Sequence, residues 1–427
     1  MAEKFVNVDR DTPMLLPPDL RDWVEKDDIA HFVLEVAYRV SPDSAHVNNR
    51  GSGLAQYPPS MMLALLLYCY SQGIYSSRKI EKATYSNISV RYLTGNCHPD
   101  HDTIASFRRR NKQFIKQAFV TTVKVGQEVG LSRLGTMAID GTSLKASAGK
   151  KTTCFYGNLE SLCNERMERA EQEERETQTS DKSINLPSKA KLTQALAKID
   201  RGYEKRKRQR EILRKEVKDG DVGSLPHQLP AKVPASKKVN TVDTDCHFMP
   251  MKEGFYSLGY NAQLAVDTGS LLITAALIST SSNDSHQLLR VAQESHRNCE
   301  GMVETVVADS GYDNNHQINE LEKKCGIHAV VAVKDPHRLS IKHKQSKRRQ
   351  RTRALKIKRI EELETKKGKG LLKQRNASVE TVFGIIKHAM QFRAFLQRGR
   401  ENVDAEWKLI SAAFNLKRLA SLMAASR

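Results

Sequence analysis

The sequence predicts an α+β protein, in which an all-helical N-terminal domain is followed by a mixed α/β domain that carries a charged helical insertion. Three observations indicate this class. Apolar residues recur at helical spacing through residues 1–130, and short β-branched runs that end in acidic residues begin at residue 134. Residues 155–245 are mainly polar and charged. We therefore expect a first domain at residues 1–130 and a second at residues 131–427.

Composition restricts the function. The chain has 427 residues, with 69 Lys and Arg against 49 Asp and Glu, a formal net charge of +20. Such a surplus is typical of proteins with a polyanionic partner, and nucleic acid is the first candidate. No apolar stretch is long enough for a membrane span, and the N-terminus lacks the apolar core of a signal peptide. We expect a cytoplasmic, nucleoid-associated protein with no membrane partner and with reduced thiols at its seven cysteines.

The centre of the first domain is predicted to be the helix around residues 61–70. This run is apolar on nearly all sides, so other helices should pack around it. Pro58 and Pro59 precede it and Gly73 follows it, which are the residue types expected at a helix start and end.

The helices of residues 76–117 are the candidate DNA readers of this domain. Ser76 or Ser77 and Asp100 or Asp102 are plausible N-caps, and the two capped helices would form a helix-turn-helix-like pair. The second helix carries three consecutive arginines, which cannot all face one groove because they span most of the helix circumference. Contact of some of them with DNA and a solvated face remain alternatives for this set, Arg108, Arg109 and Arg110.

Three acidic residues stand at positions that suit a metal site. The strand-like run of residues 303–308 stops at Asp309, and the run of residues 134–139 stops at Asp140, each followed by a chain breaker. Glu380 lies beside a stripe of apolar residues at helical spacing. A single Asp after a strand is more often a turn former, so the argument depends on the ordered set of three.

The order of elements after residue 134 is strand, insertion, hairpin, helix, strand, helix, strand, basic segment and helix. Asp267, Thr268 and Gly269 mark the hairpin turn. The insertion, residues 155–245, is expected to contain two exposed helices, and the basic segment occupies residues 335–375. This order is that of an RNase H-like core, in which the first and fourth strands each deliver an Asp and a later helix delivers the last acid.

Long motifs then identify a resemblance that spans nearly the whole chain. They are SSRKIE and FRRRN in the first domain, and IDGTSLKAS, VNTVDTDCHFMPMKEGFYSLGYNAQLAVD, VADSGYD, VETVFGIIK and FLQRGRENVDAEWKLISAAFNLKRL in the second. With these motifs the chain resembles DDE transposases of bacterial insertion sequences, which have an InsH-like N-terminal domain and a transposase DDE domain.

The resemblance implies a role for each matching position. Asp140, Asp309 and Glu380 are implied as the three catalytic, metal-binding acids, and Lys387 matches the family's basic residue seven positions after the glutamate. Many relatives carry an arginine four residues before the glutamate, where this chain has Asn376 and the nearest arginine is Arg375. An all-oxygen ligand set suits two Mg²⁺ ions, for which Mn²⁺ can substitute, and phosphoryl transfer on DNA is chemistry that such an ion pair supports.

The predicted partners are the terminal inverted repeats and the target DNA, with a homodimer in the synaptic complex. The basic segment is the predicted backbone contact, because residues 338–375 hold sixteen Lys and Arg against three Glu. The DNA contacts expected beside the active site are Arg348, Arg349, Arg351, Arg375 and Lys387. Two alternatives stay open: a catalytically impaired, DNA-binding regulator of transposition, and an RNase H-like DNA nuclease.

Other polar clusters carry less weight. Asp243, Asp245 and His247 precede the hairpin and suit either a turn or an outer part of the active site. Asn283 and Asp284 follow the hairpin, where such residues most often cap the next helix.

Overall fold

The computed structural model describes residues 19–47, 55–130, 134–159, 161, 189–218, 228–252, 254–334, 336 and 347–425. In the first part of the chain the described helices are α1 (Leu20–Trp23), α2 (Ile29–Arg39), α3 (Pro59–Ser71), α4 (Ser77–Ser86), α5 (Ile88–Thr94), α6 (His101–Arg110) and α7 (Lys112–Glu128). No helix within the described ranges is long and apolar enough to cross a membrane.

Helix α3 is the predicted central helix of this part. Every residue from Met62 to Ser71 is buried, because the helix is apolar around its whole circumference. Pro59 lies in the first turn, and Gly73 follows the helix with φ 76°, a left-handed conformation that glycine adopts without strain. The Asp100 side chain caps α6 by accepting a hydrogen bond from the Thr103 backbone N–H at 2.6 Å.

The second part contains a mixed sheet with the RNase H-like order. Its strands are β1 (Thr136–Lys145), β4 (His247–Pro250), β5 (Tyr256–Asp267), β6 (Ile273–Ser279), β7 (Thr305–Ala308) and β8 (His328–Val331). Strand β1 lies between β5, antiparallel to it, and β7, parallel to it, while β8 continues the parallel half and β4 and β6 both pair with β5. The predicted hairpin is confirmed, because β5 ends at Asp267 and β6 returns antiparallel to it.

The described part of the insertion forms a small unit of its own. Strands β2 (Thr153–Phe155) and β3 (Lys238–Asn240) pair antiparallel, and helix α8 (Lys189–Lys218) packs on them through a separate apolar cluster. Tyr203 and Ile199 of α8 belong to that cluster. The first of the two predicted insertion helices lies outside the described residues.

The remaining helices are α9 (Leu288–Asn298), α10 (Asn315–Cys325), α11 (Lys347–Glu364), α12 (Lys366–Arg375), α13 (Thr381–Gly384) and α14 (Arg400–Ala425). Two π-helical turns, Asn376–Glu380 and Ile385–Ala389, flank α13, so the chain stays helical from Lys366 to Ala389. The helix that carries Glu380 therefore does not start at Asn376. The helix begins ten residues earlier, where the Thr365 hydroxyl accepts a hydrogen bond from the Gly368 N–H at 3.0 Å.

Helix α14 connects the two parts of the protein. It packs against α3 and α7 on one side and against β6 on the other, and its Trp407 is completely buried. The Asn415 side chain bonds both the N–H and the C=O of Ile273 and also the hydroxyl of Thr122. One continuous apolar core therefore runs through the N-terminal helices and the sheet.

Candidate active site

Two of the predicted acids lie side by side because of the sheet register. Strands β1 and β7 are parallel, and Ile139 pairs with Ala308. The acid is the next residue in each segment, so Asp140 and Asp309 lie side by side. The Asp140 side chain is 15% exposed and that of Asp309 is 45% exposed. Asp309 directly follows the last residue of β7, as the sequence predicts. The prediction that the first strand stops at Asp140 is wrong, because β1 continues to Lys145 and pairs with β5 throughout.

The guanidinium of Arg375 lies between these two carboxylates. Its Nη2 is 3.0 Å from Oδ2 of Asp140 and 3.6 Å from Oδ2 of Asp309. The residue is 7% exposed, and its Nε is buried without a hydrogen-bond partner. The prediction that Arg375 contacts DNA does not fit this structure, because the side chain is turned inward and paired with acids.

Burial makes the charge of Asp140 costly. It raises the pKa of this carboxyl group to about 6, the Arg375 charge acts in the opposite direction, and the nearby Asp309 raises it further. Asp140 also accepts a hydrogen bond from the Gly141 N–H at 2.8 Å. A buried carboxylate beside a second acid is an environment that a cation stabilises.

A third acid, Asp284, lies next to this pair. Its Oδ1 accepts hydrogen bonds of 2.6 Å from the side-chain amides of Asn261 and Gln263. Both its oxygens face the glycines that follow the other two acids, since a Cβ at Gly141 would lie 2.9 Å from Oδ1 and a Cβ at Gly311 3.8 Å from Oδ2. The negative charge of Asp309 raises the pKa of Asp284, although burial is the larger cause.

The residues that hold Asp284 form a buried polar network. Gln263 is fully buried, donates a second hydrogen bond to Asn261 at 2.9 Å, and accepts one from the Tyr312 hydroxyl. The interpretation of Asn283 and Asp284 as ordinary helix caps therefore missed a site residue. The available signal was in β5, where Asn261 and Gln263 place two amides in an otherwise apolar strand.

The sequence also requires glycine beside this network. A Cβ at Gly141 would lie 2.1 Å from the Gln263 Nε2 and 2.8 Å from the Asn261 Oδ1, distances at which atoms overlap. Gly141 thus leaves room for the two amides and Asp284 against β1, and its role is steric rather than that of a turn.

Glu380, the third predicted acid, does not join Asp140 and Asp309. It is exposed at the end of the first π-helical turn, and it makes no hydrogen bond or ion pair with any part of the chain that the structure describes. Among the described residues no group of three His, Cys, Asp or Glu side chains is arranged to hold a metal ion.

Lys387 lies over β1 rather than in open solvent. Its Nζ donates a hydrogen bond of 2.6 Å to the hydroxyl of Thr142, two residues beyond Asp140 on the same strand. Lys387 therefore ties the second π-helical turn to the strand that carries the first acid.

The donor set at this edge suits a hard divalent cation. Asp140 and Asp309 direct carboxylate oxygens at one cationic nitrogen, and Asp284 adds further oxygens beside them. A divalent ion held by Asp140 and Asp309 would lie where the Arg375 guanidinium now places positive charge. It would supply electrostatic stabilisation of a reacting phosphate.

The predicted base-reading arginines separate into two kinds. Arg108 is buried, and its Nη1 donates hydrogen bonds of 2.8 Å to the Tyr70 hydroxyl and to the Tyr75 carbonyl, with Nη2 bonding Ser77. Contact of Arg108 with DNA is therefore excluded by its packing. Arg109 and Arg110 are exposed.

Part of the basic segment is structural. The side chain of Asp313 is fully buried, and it pairs with Lys356 at 2.5 Å and with Arg359 at 2.7 Å, both from α11. Arg348, Arg349 and Arg351 lie in the first turns of α11, and their side chains are outside the described residues.

The Asp243 and Asp245 pair supports the start of α14. Asp243 accepts hydrogen bonds from the Tyr260 hydroxyl at 2.7 Å and the Gly399 N–H at 3.1 Å, and Asp245 accepts one from the Arg400 N–H at 2.9 Å. Of the two interpretations that the sequence left open for this pair, the structural one agrees with these contacts.

Comparison with protein families decides the identity of the chain. Residues 236–416 match the model of the transposase DDE domain, and residues 19–110 match the model of a transposase domain, DUF772. The chain is an insertion-sequence DDE transposase. Asp309 and Glu380 lie inside the matched DDE region and Asp140 precedes it. No curated protein and no solved structure matches the chain.

The family resemblance drawn from the motifs is thereby confirmed, and with it a transposase function. A DDE domain implies phosphoryl transfer on DNA, and DDE transposases generally use divalent metal ions.

Proposed function

We propose that this transposase binds the terminal inverted repeats of its element, cuts DNA at the element boundary and joins the freed 3′-hydroxyl to target DNA. The observation that supports the proposal is the convergence of the Asp140 and Asp309 carboxylates, from two neighbouring parallel strands, on one cationic nitrogen. A homodimer would bring the two element ends together, and helices α4 to α6 with Arg109 and Arg110 are the proposed readers of the repeats.

Each residue has a distinct part in this proposal. Asp140 and Asp309 would hold Mg²⁺, with Glu380 as the third acid of a two-ion site. Asp284 positions the strand ends through Asn261 and Gln263. Lys387, bonded to Thr142, holds the Glu380 helix on β1. Arg375 neutralises the two aspartates in the protein without metal.

The decisive test is cleavage and joining of a mini-element by the Asp309→Asn variant with Mg²⁺ present. We expect both reactions to be lost, with DNA binding retained. Glu304→Gln is the matched control, since Glu304 is exposed and directly precedes β7, the strand that Asp309 follows. Near-normal cleavage by folded Asp309→Asn would contradict the assignment.

A second candidate is a DNA-binding regulator that does not cut. It is favoured by the pairing of Arg375 with both aspartates and by the separation of Glu380 from them in the described residues. Wild-type protein that shifts repeat DNA but never cleaves it would support the regulator. Mn²⁺ binding, measured by electron paramagnetic resonance, separates the two: the transposase proposal expects binding that Asp140→Asn removes.

A further inference from the structure

A cavity of about 520 Å³ lies between helix α8 of the insertion and the sheet, and we name it the α8 pocket. Helix α8 contributes Tyr203 and Arg206, the segment before β3 contributes Lys237, and β4 contributes His247. The loop after β6 closes one side through Thr280, Ser281 and Ser282. The insertion thus builds a chamber directly against the catalytic domain.

Two cations of the α8 pocket, Arg206 and Lys237, form no ion pair with the described residues. Arg206 is half-buried and makes no hydrogen bond or ion pair with the described residues, while the ammonium of Lys237 lies 5.6 Å from the centre of the Tyr203 ring. The charge of Asp245 partly offsets the burial that lowers the pKa of Arg206, but Asp245 itself pairs with Lys198 at 3.1 Å and accepts a hydrogen bond from the Arg400 N–H.

The electrostatics agree with an excess of positive charge. Burial, followed by the nearby Arg206, lowers the pKa of Lys237 to about 8, and burial lowers the pKa of Arg206. Burial and then these two cations lower the pKa of His247 to about 4, so its ring is neutral at pH 7. An anion bound in the pocket would offset the burial and the like-charge repulsion, and it would favour the charged forms of Arg206 and Lys237.

The loop that closes the α8 pocket also carries the active-site network. The Ser281 carbonyl accepts a hydrogen bond of 3.1 Å from the Asn261 amide, and the same amide donates to Asp284 at 2.6 Å. Only one residue, Asn283, separates Ser282 from Asp284. The same loop therefore lines the α8 pocket and leads directly to the acid that lies beside Asp140 and Asp309.

We propose that the α8 pocket binds a phosphodiester group of the DNA strand that enters the active site, with Arg206 and Lys237 as its charged ligands. Guanidinium and ammonium groups beside serine hydroxyls provide the donors that phosphate oxygens accept. The proposal rests on the proposed DNA chemistry, and it gives the insertion a substrate-binding role. The phosphate fixes the position of the strand beside Asp284 without contributing to base recognition.

The first test compares two double variants of the full chain. Arg206→Gln with Lys237→Gln removes the pocket cations, whereas Lys205→Gln with Arg208→Gln removes the same charge from exposed positions on the same helix. One neutralised phosphate contributes about 0.9 to the slope of log K against log salt for duplex DNA. We expect that slope to fall by about one unit in the pocket variant and to stay unchanged in the control. Equal changes in both variants, or none in the pocket variant, would overturn the proposal.

The second test locates the phosphate. A series of duplexes carries one neutral methylphosphonate at successive positions around the cleavage site. One substitution should weaken wild-type binding roughly tenfold and should have no effect on the pocket variant, because the partner of that phosphate is already absent. If every position affects wild type and variant equally, the pocket holds no DNA phosphate.

Inorganic phosphate distinguishes a small-anion site from a DNA site. If phosphate raises the melting temperature of wild type alone while both variants bind DNA like wild type, the pocket binds free phosphate and the proposal is wrong. The single variants Arg206→Gln and Lys237→Gln repeat the assay if the double variant does not fold. Failure of wild-type protein to bind or cleave repeat DNA would instead contradict the proposed function.

Discussion

Arg375 and Arg206 are both withdrawn from solvent, but their surroundings are opposite. Arg375 lies within 3.0 and 3.6 Å of two carboxylates, whereas Arg206 has no ion pair among the described residues and its charge adds to burial in lowering the pKa of Lys237. A net charge of +20 is therefore an unreliable guide to where DNA binds. A basic residue that already has acidic partners stabilises the fold, and one without them indicates a place where an external anion is missing.

The largest expected effect concerns Lys356 and Arg359, two basic residues that already have an acidic partner. Asp313→Asn leaves Lys356 and Arg359 without their buried acid, and removal of one partner from a buried ion pair typically costs about 3 kcal/mol. We expect the free energy of unfolding in urea to fall by about that amount. Glu361→Gln, an exposed acid on α11, is the control and should change stability little. A loss as small as in the control would mean that α11 is not held by this pair.

The next largest effect distinguishes Arg108 from its neighbours on α6, Arg109 and Arg110. Arg108→Gln removes hydrogen bonds to Tyr70 and Tyr75 and should lower the stability by about 2 kcal/mol while the folded protein keeps its DNA affinity. Arg109→Gln with Arg110→Gln should do the reverse, lowering affinity at unchanged melting temperature. Gel-shift titration and thermal unfolding of the three proteins check this. Reduced DNA affinity in folded Arg108→Gln would contradict the assignment of Arg108 to the fold and of Arg109 and Arg110 to DNA.

The smallest effect is a pH dependence at Asp140. Burial raises its pKa in the folded protein to about 6, above the ordinary value of 3.8, so the unfolded chain loses this proton first as pH rises. Asp140 therefore favours the fold when protonated, and that advantage disappears between about pH 4 and pH 6. Without metal, Asp140→Asn should gain about 1 to 2 kcal/mol relative to wild type across this interval. The measurement is chemical unfolding at successive pH values with a chelator present.

The stability gained by Asp140→Asn should also depend on Arg375, the ion-pair partner of Asp140. When Arg375→Gln is introduced into both proteins, the stability difference between the chain that keeps Asp140 and the chain with Asp140→Asn should widen, since the guanidinium no longer offsets the buried charge. An unchanged difference would show that Arg375 does not compensate Asp140 in solution.

The parts of the fold that the sequence predicted are those that local pattern determines. The apolar run that stops at Asp309 predicts a strand that ends there, and the uninterrupted apolar surface of α3 predicts its central position. The run before Asp140 predicts the strand but not its end, because pairing with β5 extends β1 to Lys145. The RNase H-like order follows because few topologies accommodate that succession of elements.

The parts that sequence reasoning missed depend on residues distant in the chain. Arg108 looks like its two neighbours, and it is buried because Tyr70 bonds it and Glu406 lies beyond Tyr70. Asp284 looks like a helix cap until β5 brings Asn261 and Gln263 to it. Arg375 was assigned to DNA because the surrounding segment is basic, and only the crossing of its helix over β1 reveals its acidic partners.

Helix α14 also has a consequence during synthesis of the protein. The apolar faces of α3 and α7 pack against residues 400–425, which are translated about 270 residues after α7. At about 5 to 20 residues per second, roughly 15 to 60 seconds separate the appearance of α7 from that of α14. During this interval the nascent helices expose apolar surface that chaperones recognise. A chain that terminates before α14 would leave this surface uncovered, so we expect it to be a substrate for proteolysis.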